Sequence, residues 1–350
     1  MNTVTVNASH SYEVKIGPGL LSQLGAEAAT VGAKGVAVII SDSNVWSLYG
    51  STAENSLVRA GFSVLSYVFP AGEQQKNAAT YLDLLTFLAT NRVTRSDCLV
   101  ALGGGVVGDL TGFAAATYLR GIGYIQVPTT LLAAVDSSVG GKTAIDLEVG
   151  KNLVGAFCQP KLVLCDTDTL DTLPQNIFRD GCAEVIKYGI LYDPEMFALL
   201  LKTGMDFPRE KIITRCVELK RDVVAEDEFD TGCRMKLNLG HTFGHSIEKC
   251  SCYGISHGYA VATGIAIVAR CAAAQGVCST ETLQSILDIL ARFGFDAHTE
   301  YSADALLDAA LSDKKRAGSV LQLIIPESIG CCEIRSIPLE ELKSFIEAGL

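Results

Sequence analysis

Three of the five histidines in this 350-residue chain, His241, His245 and His257, fall within seventeen residues. His241 and His245 are spaced i,i+4, so a helix would turn both to one face. Neutral imidazole is the commonest side-chain ligand of divalent metals, and the cluster therefore predicts a metal centre. A carboxylate is still wanted. Glu184 is a candidate, because it stands in the apolar helical run Ala183-Glu184-Val185-Ile186 with Lys187 one turn on. A Glu in such a run is either held in an ion pair or a ligand.

A second feature is Gly103-Gly104-Gly105-Val106-Val107-Gly108, which fits G-x-G-x-x-G. It follows a strand-like run and precedes a helix-like one. Glycines there let the backbone approach a pyrophosphate, and a helix N-terminus favours its charge. A tight turn would read the same way. The acidic residue expected roughly 20 positions further on for a ribose is missing around Val127-Pro128-Thr129-Thr130. The pattern is thus not the usual dehydrogenase arrangement, although a nucleotide still fits.

A third feature is a scatter of polar residues in apolar or glycine-rich surroundings: Asp136, Lys142, Lys151, Asn152, Lys220, Arg234 and Asn238. Singly, each reads as a surface charge or an ion pair. Together they would supply cations for a phosphate and a carboxylate.

These residues need elements to hold them. Residues 35–41, 62–69 and 97–102 read as strands, with helical stretches over 44–60, 77–91 and 106–118 between and after them. Further strands are expected at 124–127 and 162–165. Such alternation predicts a parallel sheet covered by helices. Beyond about Leu170 long amphipathic stretches dominate, at 178–202, 208–226, 239–250, 258–275 and 281–293, and only 319–325 and 332–337 look extended. The expected fold is an α/β, Rossmann-like N-terminal domain with a parallel sheet (residues 1–170), followed by a mainly α-helical C-terminal domain (171–350).

Composition narrows the function. With 49% hydrophobic and only 19% charged residues, the chain can build a large core. Its net charge of −11 argues against a nucleic-acid partner, which would call for a basic face. It leaves room for an anionic small molecule at a local cluster of cations. The longest apolar runs, 99–108 and 259–269, are shorter than a membrane helix needs and read as core. Residues 1–15 show no signal-peptide pattern. The twelve cysteines are scattered without a C-x-x-C pair, as expected of free thiols in a reducing cytoplasm.

Read as motifs, GGGVVGDLTGF, VPTTLLAAVDSSVGGKTAID, GKNLVGAF, AEVIKYG, LNLGHTFGHSIE and HGYAVATG resemble, in the same order, the 3-dehydroquinate synthase family of sugar-phosphate cyclases. The resemblance runs from about residue 42 to 329, and VDSSVGGKT together with GHTFGH is a specific combination. It implies a metal, usually zinc, with cobalt as an alternative, on Glu184, His241 and His257. It assigns His245 to the substrate phosphate instead. It places NAD on Gly104, Gly105 and Asp109, with Glu73, Lys76, Thr129, Thr130, Lys142 and Lys151 completing the site and Asp42 and Asn44 at the adenosine end. Substrate contacts would come from Asp136, Lys142, Asn152, Lys187, Lys220, Arg234, Asn238 and Lys314. Arg120 would reach the neighbouring subunit's site, which implies a homodimer. Gln175-Asn176, Cys158 and Ser246 depart from the family's usual residues at positions to which no chemistry is assigned.

The implied reaction turns 3-deoxy-D-arabino-heptulosonate 7-phosphate into 3-dehydroquinate and phosphate. Inosose and valiolone synthases share the design but tend to differ at substrate-facing positions. An alcohol dehydrogenase of similar architecture would need no lysine cluster, and an NAD-binding regulator would need no ligand set.

Overall fold

The computed structural model describes residues 1–313 and 319–350, and Lys314 lies outside them. The chain divides into two compact units, Met1–Pro174 with Arg209–Phe229, and Gln175–Pro208 with Asp230–Leu350.

The first unit is built on a seven-stranded sheet. Its strands are β1 (Asn2–Asn7), β2 (Ser11–Gly17), β3 (Val36–Asp42), β4 (Ser63–Phe69), β5 (Cys98–Gly103) and β6 (Gly123–Pro128), with β9 (Leu162–Asp166) following the separate antiparallel hairpin β7 (Lys142–Leu147) and β8 (Gly150–Phe157). The strand order is β1-β2-β9-β6-β5-β3-β4. All pairs are parallel except β1–β2, so the sheet is mixed at one edge rather than parallel throughout. The inner strands VAVIISD, CLVALG and LVLCD are near-continuous apolar runs, as burial on both faces requires. One face carries α1 (Leu24–Thr30) and α2 (Ser43–Arg59), the other α3 (Ala78–Thr90) and α4 (Gly105–Thr117).

The second unit begins with α5 (Gln175–Tyr192) and α6 (Pro194–Thr203). The expected single stretch 178–202 is broken there. Pro194 takes the first helical position, and the Asp193 carboxylate accepts the Met196 amide at 2.9 Å as an N-cap. The next helix, α7 (Arg209–Glu226), belongs to the first unit. A division at residue 170 follows chain order, whereas α7 is tied to the sheet unit by Asn2–Thr214 at 3.1 Å, by Lys220–Asp136, and by Glu228 just beyond it, which accepts from Ser9 and Gln159.

The second unit continues with α8 (His241–Cys250), α9 (His257–Ala274), α10 (Thr280–Arg292), α11 (Ala303–Asp313), the hairpin β10 (Val320–Ser328) and β11 (Cys331–Pro338), and α12 (Leu339–Gly349). Helices α8 and α9 approach at glycines: a Cβ on Gly264 would fall 2.1 Å from the Gly240 carbonyl oxygen. At 18 residues α9 is, among the described residues, the helix long and apolar enough to cross a membrane, but 72% of it is buried in the protein. It is a core helix, longer than its apolar run predicts.

Candidate active site

Glu184 is on α5 and wholly buried. An isolated buried carboxylate would cost several kcal/mol, and its two oxygens are answered differently. Oε2 takes the Lys187 ammonium at 2.5 Å, one turn along the same helix. Oε1 faces two imidazoles, His241 Nε2 at 3.5 Å and His257 Nε2 at 3.3 Å. His241 is the first residue of α8 and His257 the first of α9.

Each ring's other nitrogen is engaged elsewhere. His241 Nδ1 lies 3.1 Å from the Leu239 carbonyl, and His257 Nδ1 lies 3.4 Å from Glu248 Oε2. With Nδ1 engaged there, each ring keeps its Nε2 on the side of Glu184. The start of α9 is anchored to α5 through Asp180, one turn before Glu184, whose Oδ1 accepts from Ser256 Oγ at 2.5 Å and from the Tyr259 amide at 3.2 Å. A Cβ on Gly258 would lie 1.9 Å from the Asp180 carbonyl oxygen, so only glycine permits this approach.

The three donor atoms of Glu184, His241 and His257 lie within 4.8 Å of one another. A carboxylate with two imidazoles, all oriented inward, fits a tetrahedral divalent ion with a position left for substrate. Burial pushes His241 down to about 3, helped by Lys187 and the neighbouring imidazoles and opposed by Glu184. Burial also acts to lower His257, but the hydrogen bonds its ring donates to the Glu184 and Glu248 carboxylates outweigh it and hold the ring up to about 10. His245 stands beside this group, its ring centroid 5.5 Å from that of His241 and 6.0 Å from that of His257. The i,i+4 pair shares a face as the spacing predicts, yet Glu184 groups His241 with His257. A second group of three, His245, Glu248 and His257, is also compact.

In the first unit, strand order reverses between β3 and β5, the place where open α/β sheets bind nucleotides beyond their strands' carboxyl ends. Residues expected to hold NAD gather at those ends. Asp42 closes β3, in register with Phe69, and Gly103 closes β5, in register with Pro128. Gly104 and Gly105 open α4, and Thr129 and Thr130 follow β6. Gly108 lets α4 sit close on β6, since a Cβ there would meet Gln126 at 2.6 Å. The buried Thr129 hydroxyl has no hydrogen-bond partner among the described residues, as a site awaiting a polar ligand would leave it. One Asp42 oxygen is used to cap α2, accepting from the amides of Asn44 and Val45.

Lys76 follows β4 and is buried among three carboxylates, Glu73 and Asp109 at 3.2 Å and Asp146 at 3.7 Å. Its ammonium is held above the usual lysine range: burial opposes the charge, but Asp109 and the other two carboxylates outweigh it. Asp109 is itself raised to about 6 because burial outweighs the attraction of Lys76. Lys151 approaches Glu73 at 3.9 Å. Asn152, expected at the substrate, joins this cluster: its Oδ1 accepts from Lys76 at 2.8 Å and its amide donates to Asp146 at 2.8 Å, with φ at 56°. Asp146 was not among the expected site residues. Its signal is an acid placed within the motif VDSSVGGKTAID.

Asp136, in a π-helical turn after β6, takes the Lys220 ammonium on both its carboxylate and its carbonyl, the latter at 2.7 Å. Lys142 opens β7 and is exposed. In the second unit Arg234 is buried and Asn238 half-buried, both in the 3₁₀ turn that leads to Gly240 and His241. Arg120 is exposed, in a turn where Leu119 and Arg120 are both left-handed (φ 51° and 65°). Arg95 holds that turn, donating from Nε at 2.9 Å and Nη2 at 2.6 Å to the Leu119 carbonyl. Among the residues not singled out are Asp180, which stands far from the histidines in sequence, and Glu248, whose signal is its place at helical spacing after His241 and His245.

A nucleotide crevice on an α/β unit and a carboxylate–imidazole metal centre on a helical one define a two-domain, metal- and nucleotide-dependent enzyme. Residues 66–180 match the family model for the 3-dehydroquinate synthase N-terminal region, and residues 181–316 that for its C-terminal region. The chain is 46% identical to the 3-dehydroquinate synthase of Pelobacter propionicus, over 98% of each chain. Among solved structures it resembles a 2-deoxy-scyllo-inosose synthase complexed with carbaglucose-6-phosphate, NAD+ and Co2+, at a TM-score of 0.90 and 25% identity over the whole of both chains. It also resembles a 2-epi-5-epi-valiolone synthase from Streptomyces hygroscopicus with NAD+ and Zn2+ bound, at 0.89 and 25% identity over 98% of each. The chain belongs to the 3-dehydroquinate synthase family.

Proposed function

We propose that the chain converts 3-deoxy-D-arabino-heptulosonate 7-phosphate to 3-dehydroquinate and phosphate. The route is transient oxidation, β-elimination of phosphate, re-reduction, ring opening and intramolecular aldol closure. The observation that carries this reading is the Glu184 carboxylate facing two Nε2 atoms whose rings are locked from behind. NAD, when bound, supplies reversible oxidation of a substrate hydroxyl, and a zinc or cobalt ion supplies polarisation of the neighbouring oxygens.

In the first unit, Asp42, Asn44, Glu73, Lys76, Gly104, Gly105, Asp109, Thr129, Thr130, Lys142 and Lys151 would hold the nucleotide, and Asp146 would join them. Asp136 and Lys220 position one another and would meet substrate hydroxyls. Lys142 would neutralise charge on the departing phosphate, and Asn152 would donate a hydrogen bond to it. In the second unit, Glu184, His241 and His257 would hold the metal. Lys187 pairs with Glu184 Oε2 and so orients the carboxylate. Arg234 and Asn238 suit the substrate carboxylate, with Arg234 the natural fork for it. His245 would donate to the phosphate as its charge grows. Lys314, outside the described residues, is expected to act there too. Ring closure then needs orientation more than chemistry, since the reacting atoms belong to one molecule.

Arg120 would serve the partner of a homodimer. Twelve free thiols fit a reducing cytoplasm.

The test is incubation with the heptulosonate phosphate, following phosphate and dehydroquinate together. Equal release of both is expected, with NAD required but not consumed. Steady accumulation of NADH with product would favour a dehydrogenase, and turnover only of a substrate without a carboxylate would favour the inosose or valiolone cyclases.

A further inference from the structure

We propose that Glu248 is a positioning residue of the metal centre: its buried carboxylate accepts the Nδ1 proton of His257 and so aims His257 Nε2 at the ion. Glu248 is 2% exposed. It lies seven residues after His241 and three after His245, so α8 carries His241, His245 and Glu248 along one face. The Oε2 atom is 3.4 Å from His257 Nδ1, while the opposite nitrogen of the same ring is 3.3 Å from Glu184 Oε1.

A carboxylate behind a metal-binding imidazole sets its tautomer and raises its basicity. The two histidines are thereby oriented by different means. His241 uses a carbonyl two residues away in its own chain turn, at 3.1 Å. His257 has its helix start tied to α5 through Asp180, and its ring is met from α8 by Glu248. A carboxylate buried this deeply is costly to keep without a function or a partner, and the imidazole gives it both.

The compact group of His245, Glu248 and His257 offers a competing role for Glu248, as a ligand in its own right. That group presents His257 through Nδ1, whereas the group with Glu184 presents it through Nε2. A ring whose Nδ1 carries the proton shared with Glu248 is left with only Nε2 to donate. The structure thus assigns Glu248 to the role of hydrogen-bond acceptor.

The inference rests on the reading that Glu184, His241 and His257 hold the metal, and the experiment separates the two. Metal-free wild-type protein and the variants Glu248→Gln, Glu248→Asp, Glu184→Ala and His241→Ala are titrated with Co2+. Affinity comes from chelator competition, and coordination from the visible absorption of the bound cobalt. Near-ultraviolet circular dichroism of each metal-free variant checks its packing.

Glu248→Gln is expected to bind one Co2+ with its absorption pattern kept and its affinity about 10- to 100-fold weaker. Glu248→Asp should recover part of that loss. Glu184→Ala and His241→Ala should lose the stoichiometric site. Parental affinity in Glu248→Gln overturns the inference and leaves the metal reading standing. Loss of the site in Glu248→Gln, with the altered spectrum of a missing ligand, overturns it in favour of direct ligation. Parental binding in Glu184→Ala and His241→Ala overturns the metal reading itself.

Discussion

At the scale of single residues, the metal group is a problem in placing lone pairs. Glu184 would be a poor ligand if both its oxygens were taken by cations, and Lys187 occupies only Oε2. That leaves Oε1 to the two imidazoles. His245 stands beside both rings, and the compact group around Glu184 takes His241 and His257. This predicts separable phenotypes. His245→Ala should keep metal content near that of the parent and slow phosphate release by about 10²-fold, the scale of losing one donor to a developing anion. Elemental analysis and a phosphate assay on the same preparation check it. Loss of metal in His245→Ala with retention in His257→Ala would instead make the i,i+4 pair the ligand set.

At the scale of elements, the geometry of the centre depends on how closely α9 can lie on α5. Asp180 and Glu184 are one turn apart on α5, and the first caps the helix whose first residue faces the second. A side chain at position 258 would occupy the space of the Asp180 carbonyl. Gly258→Ala must therefore push the N-terminus of α9 away. Overpacking of this kind costs about 1–3 kcal/mol, and a displacement of an ångström or so takes His257 off its aim. The expected result is a lower midpoint in chemical denaturation together with loss of bound zinc by elemental analysis. A variant with unchanged midpoint and full metal content would show that the approach is not tight. The left-handed Leu119–Arg120 turn is a similar device. Two non-glycine residues at positive φ cost roughly 1–2 kcal/mol each, and the Arg95 fork on the Leu119 carbonyl offsets part of that.

At the scale of the whole molecule, Arg120 raises the question of what the turn serves. A cation just beyond the end of α4 could simply favour the helix C-terminus. The proposed homodimer gives it another use, since in an isologous dimer each subunit lends its arginine to the other. Arg120→Ala and Glu184→Ala should each be nearly inactive. When the two are unfolded and refolded together, about half the dimers are mixed and each has one intact site, so roughly a quarter of parental activity should return. An inactive mixture in which mixed dimers are shown to form would confine Arg120 to its own chain.

Much of the chemistry was legible in one dimension. The glycine run, the histidine cluster and Glu184 beside Lys187 are local patterns, and each fell in or at the edge of the predicted element. The strands 36–42 and 98–103 were legible because burial on both faces demands continuous apolar residues, and the edge strand 63–69 because it is rich in Val, Leu and aromatic residues. The hairpin 142–157 was not: its glycines and exposed residues carry no alternation. Nor was the edge pair β1–β2 read, although its buried and exposed residues alternate as in a strand with one face in water. The break at Asp193-Pro194 was local, written in a cap and an imino acid, but masked by apolar residues on both sides. What only the tertiary structure decided is which groups share a proton or a charge. Helix period pairs His241 with His245. The approach of α5, α8 and α9 at Gly258, Gly264 and Gly240 brings His257 to Glu184 instead, and sets Glu248 behind its ring. Distances of that kind depend on how closely two backbones can approach, and no spacing along a single chain encodes them.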